Sequence, residues 1–248
     1  MAQETVVAGV VLRRGYLGEY DKWVSLLSPD LGKLRLRVRG GRKPQSKMGM
    51  LTEPLCHIKA RVIEGRTQKL LVQPQLVRSF INIRHDLERL TIALALGETL
   101  DWWLPDEHAE PEVYAVFIDA LEALEGGELP AAVAAQAVWR WLAVLGYEPD
   151  LSRCARCGAI DAVESRECIV VGGQLLCARC ATGESKIRLN SGVLQCLRQC
   201  LQGEPLDARP EEAQTLLRAG LHYAEEVLES PLRWLEFWER LNALRESG

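Results

Sequence analysis

The sequence predicts an α+β chain of more than one domain: a β-rich N-terminal part, then an α-helical remainder with a four-cysteine module set into it. Three observations carry this. Residues 5–80 read as short alternating strands; from Ile83 onward the apolar residues recur with helical period; and two C-x-x-C pairs fall at Cys154/Cys157 and Cys177/Cys180. With 48% hydrophobic and 26% charged residues, the 248-residue chain has a globular rather than a disordered composition.

The strands follow one another as "TVVAGVVLRR", "DKWVSLLS", the turn "PDLG", "KLRLRVRG", "LCHIKARVIEG" and "TQKLLVQPQLVRSF", five strands in residues 1–80. Helical texture begins with "LERLTIALALGETLDWWL", "EVYAVFIDALEALEGG" and "AAVAAQAVWRWLAVLG", separated by Pro/Gly-bearing breaks at 105–111 and 126–130. The cysteine-bearing insert covers 152–185. Helices near 191–201, 210–229 and 232–245 close the chain, with Pro210 and Pro231 at first-turn positions. The expected domains are therefore 1–80 (barrel), 81–151 and 186–248 (two parts of a helical domain) and 152–185 (metal module). No repeat of 20–50 residues interrupts this order.

The longest apolar stretch, residues 131–145, is broken by Gln136 and Arg140 and is shorter than the roughly 18 residues a membrane span needs. The beginning, "MAQETVVAGVVLRR", reads as a strand rather than a targeting peptide, so a cytoplasmic location is expected.

Charge divides the chain in the same place. Residues 1–80 hold 15 Lys+Arg against 6 Asp+Glu, whereas 81–248 hold 15 against 28, so a balance of +9 faces one of -13 within a net charge of -4. Such asymmetry points to a polyanion-binding end.

The positive charge is densest in "GKLRLRVRGGRK", with six basic residues and no acid. On a strand over 33–39, Leu34, Leu36 and Val38 face the core and Lys33, Arg35, Arg37 and Arg39 face out. Ordinary solvated faces mix signs; four like charges in a row call for an anion. The loop "GGRKPQSK" adds Arg42, Lys43 and Lys47. Five short strands with a basic face suit an OB-fold, whose open barrel binds oligonucleotides across its sheet. Tyr16 and Tyr20, flanking Gly18, are the candidates to stack on bases, while Trp23, among strand residues, is read as core. So few aromatics suggest binding through phosphates with little base readout. A bare solvated face is the alternative.

In "CARCGAIDAVESRECIVVGGQLLCARC", 19 residues separate the two C-x-x-C knuckles, the spacing of four-thiolate zinc sites. A hairpin turning at Gly172-Gly173 would bring Cys177 and Cys180 to Cys154 and Cys157. Four protein ligands leave no position for a reacting water, so one structural Zn2+ is expected. A redox pair, the competing reading, needs only one such knuckle. Cys56, Cys168, Cys196 and Cys200 read as small buried apolar residues.

No phosphate-binding or nucleophile-elbow motif is present, and His57, His85, His108 and His222 are scattered singly. No catalytic constellation emerges, and the chain is expected not to be an enzyme. At this level a zinc-containing transcription or translation factor, or a zinc-dependent nucleic-acid enzyme, stays open.

"YLGEYDKWVSLLSPDLGKLRLRVRGGRK" resembles the N-terminal signature of the bacterial RecO recombination mediators, and "LGYEPDLSRCARCG" with the second C-x-x-C resembles that family's zinc module. The resemblance runs along nearly the whole chain. It implies a non-enzymatic, nucleoid-associated DNA repair protein. Such a protein binds single- and double-stranded DNA, anneals complementary strands and works with RecR so that RecA replaces the single-strand-binding protein. It also implies that Arg35, Arg37, Arg39, Arg42 and Lys43 bind DNA, that Cys154, Cys157, Cys177 and Cys180 hold the metal, and that the acidic tail of the single-strand-binding protein is a partner. The sequence does not place that pocket; an apolar site near Arg140 between Trp139 and Trp141 is one candidate, and plain helix packing is the favoured alternative.

Overall fold

The computed structural model describes residues 4–159, 167–182 and 187–229. Two compact units emerge, Met1–Gly127 and Glu128–Gly248. The expected helix over 232–245 lies outside the described residues.

In the first unit, β-branched and apolar residues at alternate positions make five strands: β1 (Glu4–Leu17), β2 (Asp21–Ser28), β3 (Gly32–Val38), β4 (His57–Glu64) and β5 (Lys69–Arg78). They close into a barrel in the order β1-β2-β3-β5-β4. All pairs are antiparallel except β3–β5, where Leu36 and Arg37 lie beside Lys69 and Leu70. β1 is long because it serves two partners: its first half pairs with β4 and its second half with β2. The irregularity between Val11 and Arg13 turns it from one to the other. Gly9 sits where the bent strand meets β2, since a Cβ there would lie 2.2 Å from the Leu27 carbonyl oxygen. The core is the expected inward set, with Val11, Val24, Leu36, Val38 and Ile58 at 0–1% exposure. Burying each such side chain contributes about 1.5–3 kcal/mol.

A short helix α1 (Lys47–Leu51) joins β3 to β4, its first turn capped by Ser46 accepting from the Gly49 N–H. Beyond β5, α2 (Ile81–His85), α3 (Leu87–Trp103) and α4 (Pro111–Gly126) belong to the same unit as the barrel. Asp86 caps α3 by accepting from Arg89 N at 3.0 Å, and Pro111 opens α4.

The second unit is built on α5 (Pro130–Val144), an Ala-rich helix buried on nearly every side, as continuous apolarity requires. It packs with α6 (Ser191–Gln202) and α7 (Pro210–Leu228). Gly220 of α7 makes room for the Trp139 indole, whose ring a Cβ would approach to 2.9 Å. A hairpin of β6 (Cys168–Val171) and β7 (Gln174–Cys177) turns at Gly172-Gly173, both with positive φ (54° and 75°), as expected. No described helix is long and apolar enough to cross a membrane.

Candidate nucleic-acid interface and metal centre

β3 shows the expected parity with one exception. Leu34, Leu36 and Val38 are buried, Arg35 and Arg39 exposed, and Arg37 half-buried. Lys33 is the exception, at 5% exposure. Its ammonium donates to the Asp101 carbonyl at 2.6 Å and pairs with Asp106 at 3.1 Å, so it is not part of an open cationic face. The start of β3 is outward-facing in parity, but the end of α3 and the residues after it cover it; a charge there is kept by local partners.

The remaining cations separate into two groups. On the β2–β3 face, Arg35 reaches Asp101 at 3.6 Å and Asp106 at 3.8 Å, and Arg37 donates to Asp21 at 2.5 and 2.9 Å. Asp21 also accepts from the Gly40 N–H at 2.7 Å; that bond first, and Arg37 second, hold its carboxyl below the usual range. The second group joins two loops. Arg42 donates to the Gly18 carbonyl at 2.7 Å and stacks 4.2 Å from the centre of Tyr16, which Arg14 also approaches at 5.8 Å. Lys43 lies 5.9 Å from the Tyr20 ring. Tyr16 and Tyr20 remain 67% and 50% exposed. Arg39, Lys43 and Lys47 are exposed and form no ion pair with described residues.

Trp23 corrects the sequence expectation. It is half-buried rather than core, on the outer face and paired in register with Arg37. Its indole lies across Gly15, where a Cβ would come within 2.4 Å of the ring, and the Arg35 guanidinium sits 5.1 Å from its centre. Parity carried the signal: Val24 and Leu26 are the core residues of β2, and Trp23 falls on the opposite face.

Trp23, Arg35 and Arg37 form the floor of a cleft of about 570 Å³. Leu17, where the β1–β2 loop begins, closes one side; the β4–β5 turn with Arg66 and Lys69 closes the other. In this five-stranded barrel the strand 2–3 face between those two loops is where OB-folds take oligonucleotides. Arg66 and Lys69, 23 and 26 residues past Lys43, lie outside the basic run that the sequence marks.

The four cysteines of the second unit converge. The Sγ atoms of Cys154, Cys157, Cys177 and Cys180 all lie within 4.8 Å of one another, with Cys157 and Cys177 at 3.8 Å. Tetrahedral thiolates about 2.3 Å from a metal stand about 3.8 Å apart, so the nest has the right size. All four are free thiols. Burial alone raises the Cys154 thiol, but the backbone N–H groups of Cys177, Cys157 and Arg156 outweigh it and bring it down to about 6. Cys180 is pushed up to about 12 by burial and by the neighbouring sulfurs. Against burial, backbone N–H groups thus favour the thiolate at Cys154 and at Cys177, while burial and the neighbouring sulfurs oppose it at Cys180. The cluster can hold a metal ion.

The other cysteines are buried as expected, and burial raises each thiol, Cys168 to about 11 and Cys200 to about 12. Trp139 and Trp141, the candidate walls of a peptide pocket, are both fully buried. The Trp139 indole donates to the Leu216 carbonyl at 3.0 Å and stacks on Tyr223 at 5.6 Å. Arg140 between them is half-buried, so the tryptophans belong to helix packing and offer no surface walls.

Family comparisons agree with this geometry. Residues 1–80 match the family model "Recombination protein O N terminal" and residues 84–236 match "Recombination protein O C terminal". The chain belongs to the RecO family. Its relatives include the DNA repair protein RecO of Symbiobacterium thermophilum, 30% identical over 250 residues that cover 96% of this chain and 98% of that one. The DNA repair protein RecO of Bifidobacterium longum is 31% identical over 234 residues, covering 92% and 95%. In this RecO chain the N-terminal match coincides with the five barrel strands, and the C-terminal match includes all four clustered cysteines.

Proposed function

We propose that this RecO chain binds single- and double-stranded DNA without base-sequence preference through the barrel cleft and the adjoining basic loops, and anneals complementary strands. With RecR it helps load RecA onto DNA coated by single-strand-binding protein, whose acidic tail is a partner. The observation that carries the reading is the cleft itself, where Arg35, Arg37, Arg66 and Lys69 surround a half-buried tryptophan on the oligonucleotide-binding face of an OB-type barrel. Cations neutralise phosphates whatever the bases, and an indole stacks on any base. Bringing two strands together needs charge neutralisation and no fuel, which fits a non-enzymatic role. Arg39, Lys43 and Lys47 extend the same surface along the loop after β3, and Tyr16 and Tyr20 offer further ring faces.

The metal of the second unit is, in this reading, one structural Zn2+. Four thiolates suit that ion and leave no coordination position for substrate. Cys154, Cys157, Cys177 and Cys180 would hold it and tie the β6–β7 hairpin to the preceding knuckle.

The test is fluorescence anisotropy of labelled single strands of unrelated sequence at two salt concentrations. If about five phosphates are neutralised, affinity falls on the order of 100-fold between about 50 and 200 mM salt and varies little with sequence. The R35E/R37E/R39E protein loses tight binding; unchanged affinity in that folded variant overturns the assignment.

A further inference from the structure

The segment after α3 lies on the end of β3. Glu107 N–H donates to the Lys33 carbonyl at 2.8 Å, Asp106 stands beside Lys33 as an isolated parallel bridge, and a Cβ on Gly32 would meet the His108 carbonyl oxygen at 2.1 Å. The segment is therefore seated directly on the strand that carries Arg35 and Arg37.

It brings carboxylates to cations of the cleft. Glu107 lines the cleft and its Oε2 is 2.7 Å from Lys69 Nζ, while Asp106 lies 3.8 Å from Arg35. Glu107 thus links β3, through its backbone, to β5, through its side chain, where the two strands pair in parallel. It does so with φ of 59°, a left-handed conformation that disfavours any residue carrying a Cβ. The Glu107 end of the pair lies in water, with 58% of its side chain exposed against 23% for Lys69, which also reaches Glu64 at 3.4 Å; a carboxylate so exposed leaves its partner at little cost. A purely structural clamp has no need to sit in the mouth of a polyanion cleft.

We propose that Glu107 is a resident counter-ion of the cleft: its carboxylate holds Lys69 in the place of a phosphate and is displaced when a strand binds. This rests on the reading that the cleft takes nucleic acid. A strand must break the Lys69–Glu107 pair on entry and finds that anion waiting on exit. The displaced carboxylate holds affinity down and speeds release, which suits a protein that passes its strand to another.

The experiment uses the full chain and a labelled single-stranded oligonucleotide, with anisotropy titrations across salt and dissociation followed after adding unlabelled competitor. E107Q binds about 3- to 10-fold more tightly at low salt and releases more slowly. Its logarithmic salt slope stays close to the parent's, since Lys69 meets the same phosphate once Glu107 has been displaced. E112Q/E128Q, which removes as much negative charge or more at positions that do not line the cleft, changes affinity less than about twofold. In a K69A background the gain from E107Q disappears. Binding by E107Q that equals or falls below the parent's overturns the proposal, as does a gain that survives K69A or that E112Q/E128Q reproduces. A parent protein with no salt-dependent binding sinks the reading of the cleft as well; a parent that binds while E107Q changes nothing sinks this inference alone.

Discussion

In the unit spanning Met1–Gly127 the polar groups that matter are cations on strands and loops, half-exposed and shared with carboxylates such as Asp21, Asp101 and Glu107. In the unit spanning Glu128–Gly248 they are four sulfurs on two knuckles, within 4.8 Å of one another, with backbone N–H groups turned toward Cys154 and Cys177. The first cluster is open to solvent, its cations shared among carboxylates. The second is closed on itself, four sulfurs facing a common centre that could hold a metal ion.

That contrast is broken most directly at Cys177. C177S removes one of the four candidate ligands, and a structural zinc in such a site contributes on the order of 10 kcal/mol of apparent binding free energy. The expected outcome is loss of bound metal and unfolding of the second unit well below the parent's melting temperature, read by metal analysis and calorimetry. Parent-like stability without metal would show that the thiol nest folds by packing alone.

Two tryptophans sharpen it next. Trp139 is fully buried against Tyr223, and W139A should cost about 3–5 kcal/mol, seen as a lowered midpoint in denaturant. Trp23 lies on the cleft floor over Gly15, and W23A should instead weaken single-strand binding by about 1–3 kcal/mol, the worth of one stacked base. A W23A protein with normal affinity but a stability loss like that of W139A would return Trp23 to the core and erase the distinction.

Both units differ in how plainly they could be read beforehand. The thiol nest follows from spacing, because two C-x-x-C knuckles can close on one ion in few other ways, and its hairpin turn was marked by Gly172-Gly173. The five strands and the order of helices followed from periodicity. What escaped was decided by neighbours distant in sequence. Lys33 has outward parity on β3, yet Asp101 and Asp106 come over it from a segment about 70 residues on and bury it. Trp23, read as core because it sits among strand residues, faces outward, and its parity with the outer face of β2 was legible. Arg66 and Lys69 reach the cleft only because β5 pairs with β3 to close the barrel, a long-range event that no local pattern announces. Trp139 and Trp141 flank an arginine in sequence, but the burial of α5 on nearly every side hides both.

The smallest expected effect lies where the exposed cluster most resembles the closed one. Asp21 accepts from the Gly40 N–H at 2.7 Å as well as from Arg37, so this carboxylate is held by the backbone of the loop that carries Arg39, Arg42 and Lys43. Those bonds depress its folded pKa. Its contribution is therefore complete above the unfolded value, about 3.9, and is lost as pH falls through the lower folded value. The Gly40 amide resonance should titrate with a midpoint below about 3.9 in the parent and not at all in D21N. With the charge gone, Arg37 is released toward the cleft, so D21N should bind single strands slightly more tightly at neutral pH. Weaker binding would mean that Asp21 orders the loop more than it competes for Arg37. In that case the open cluster, like the thiol nest, depends on a pinned backbone before it can meet any partner.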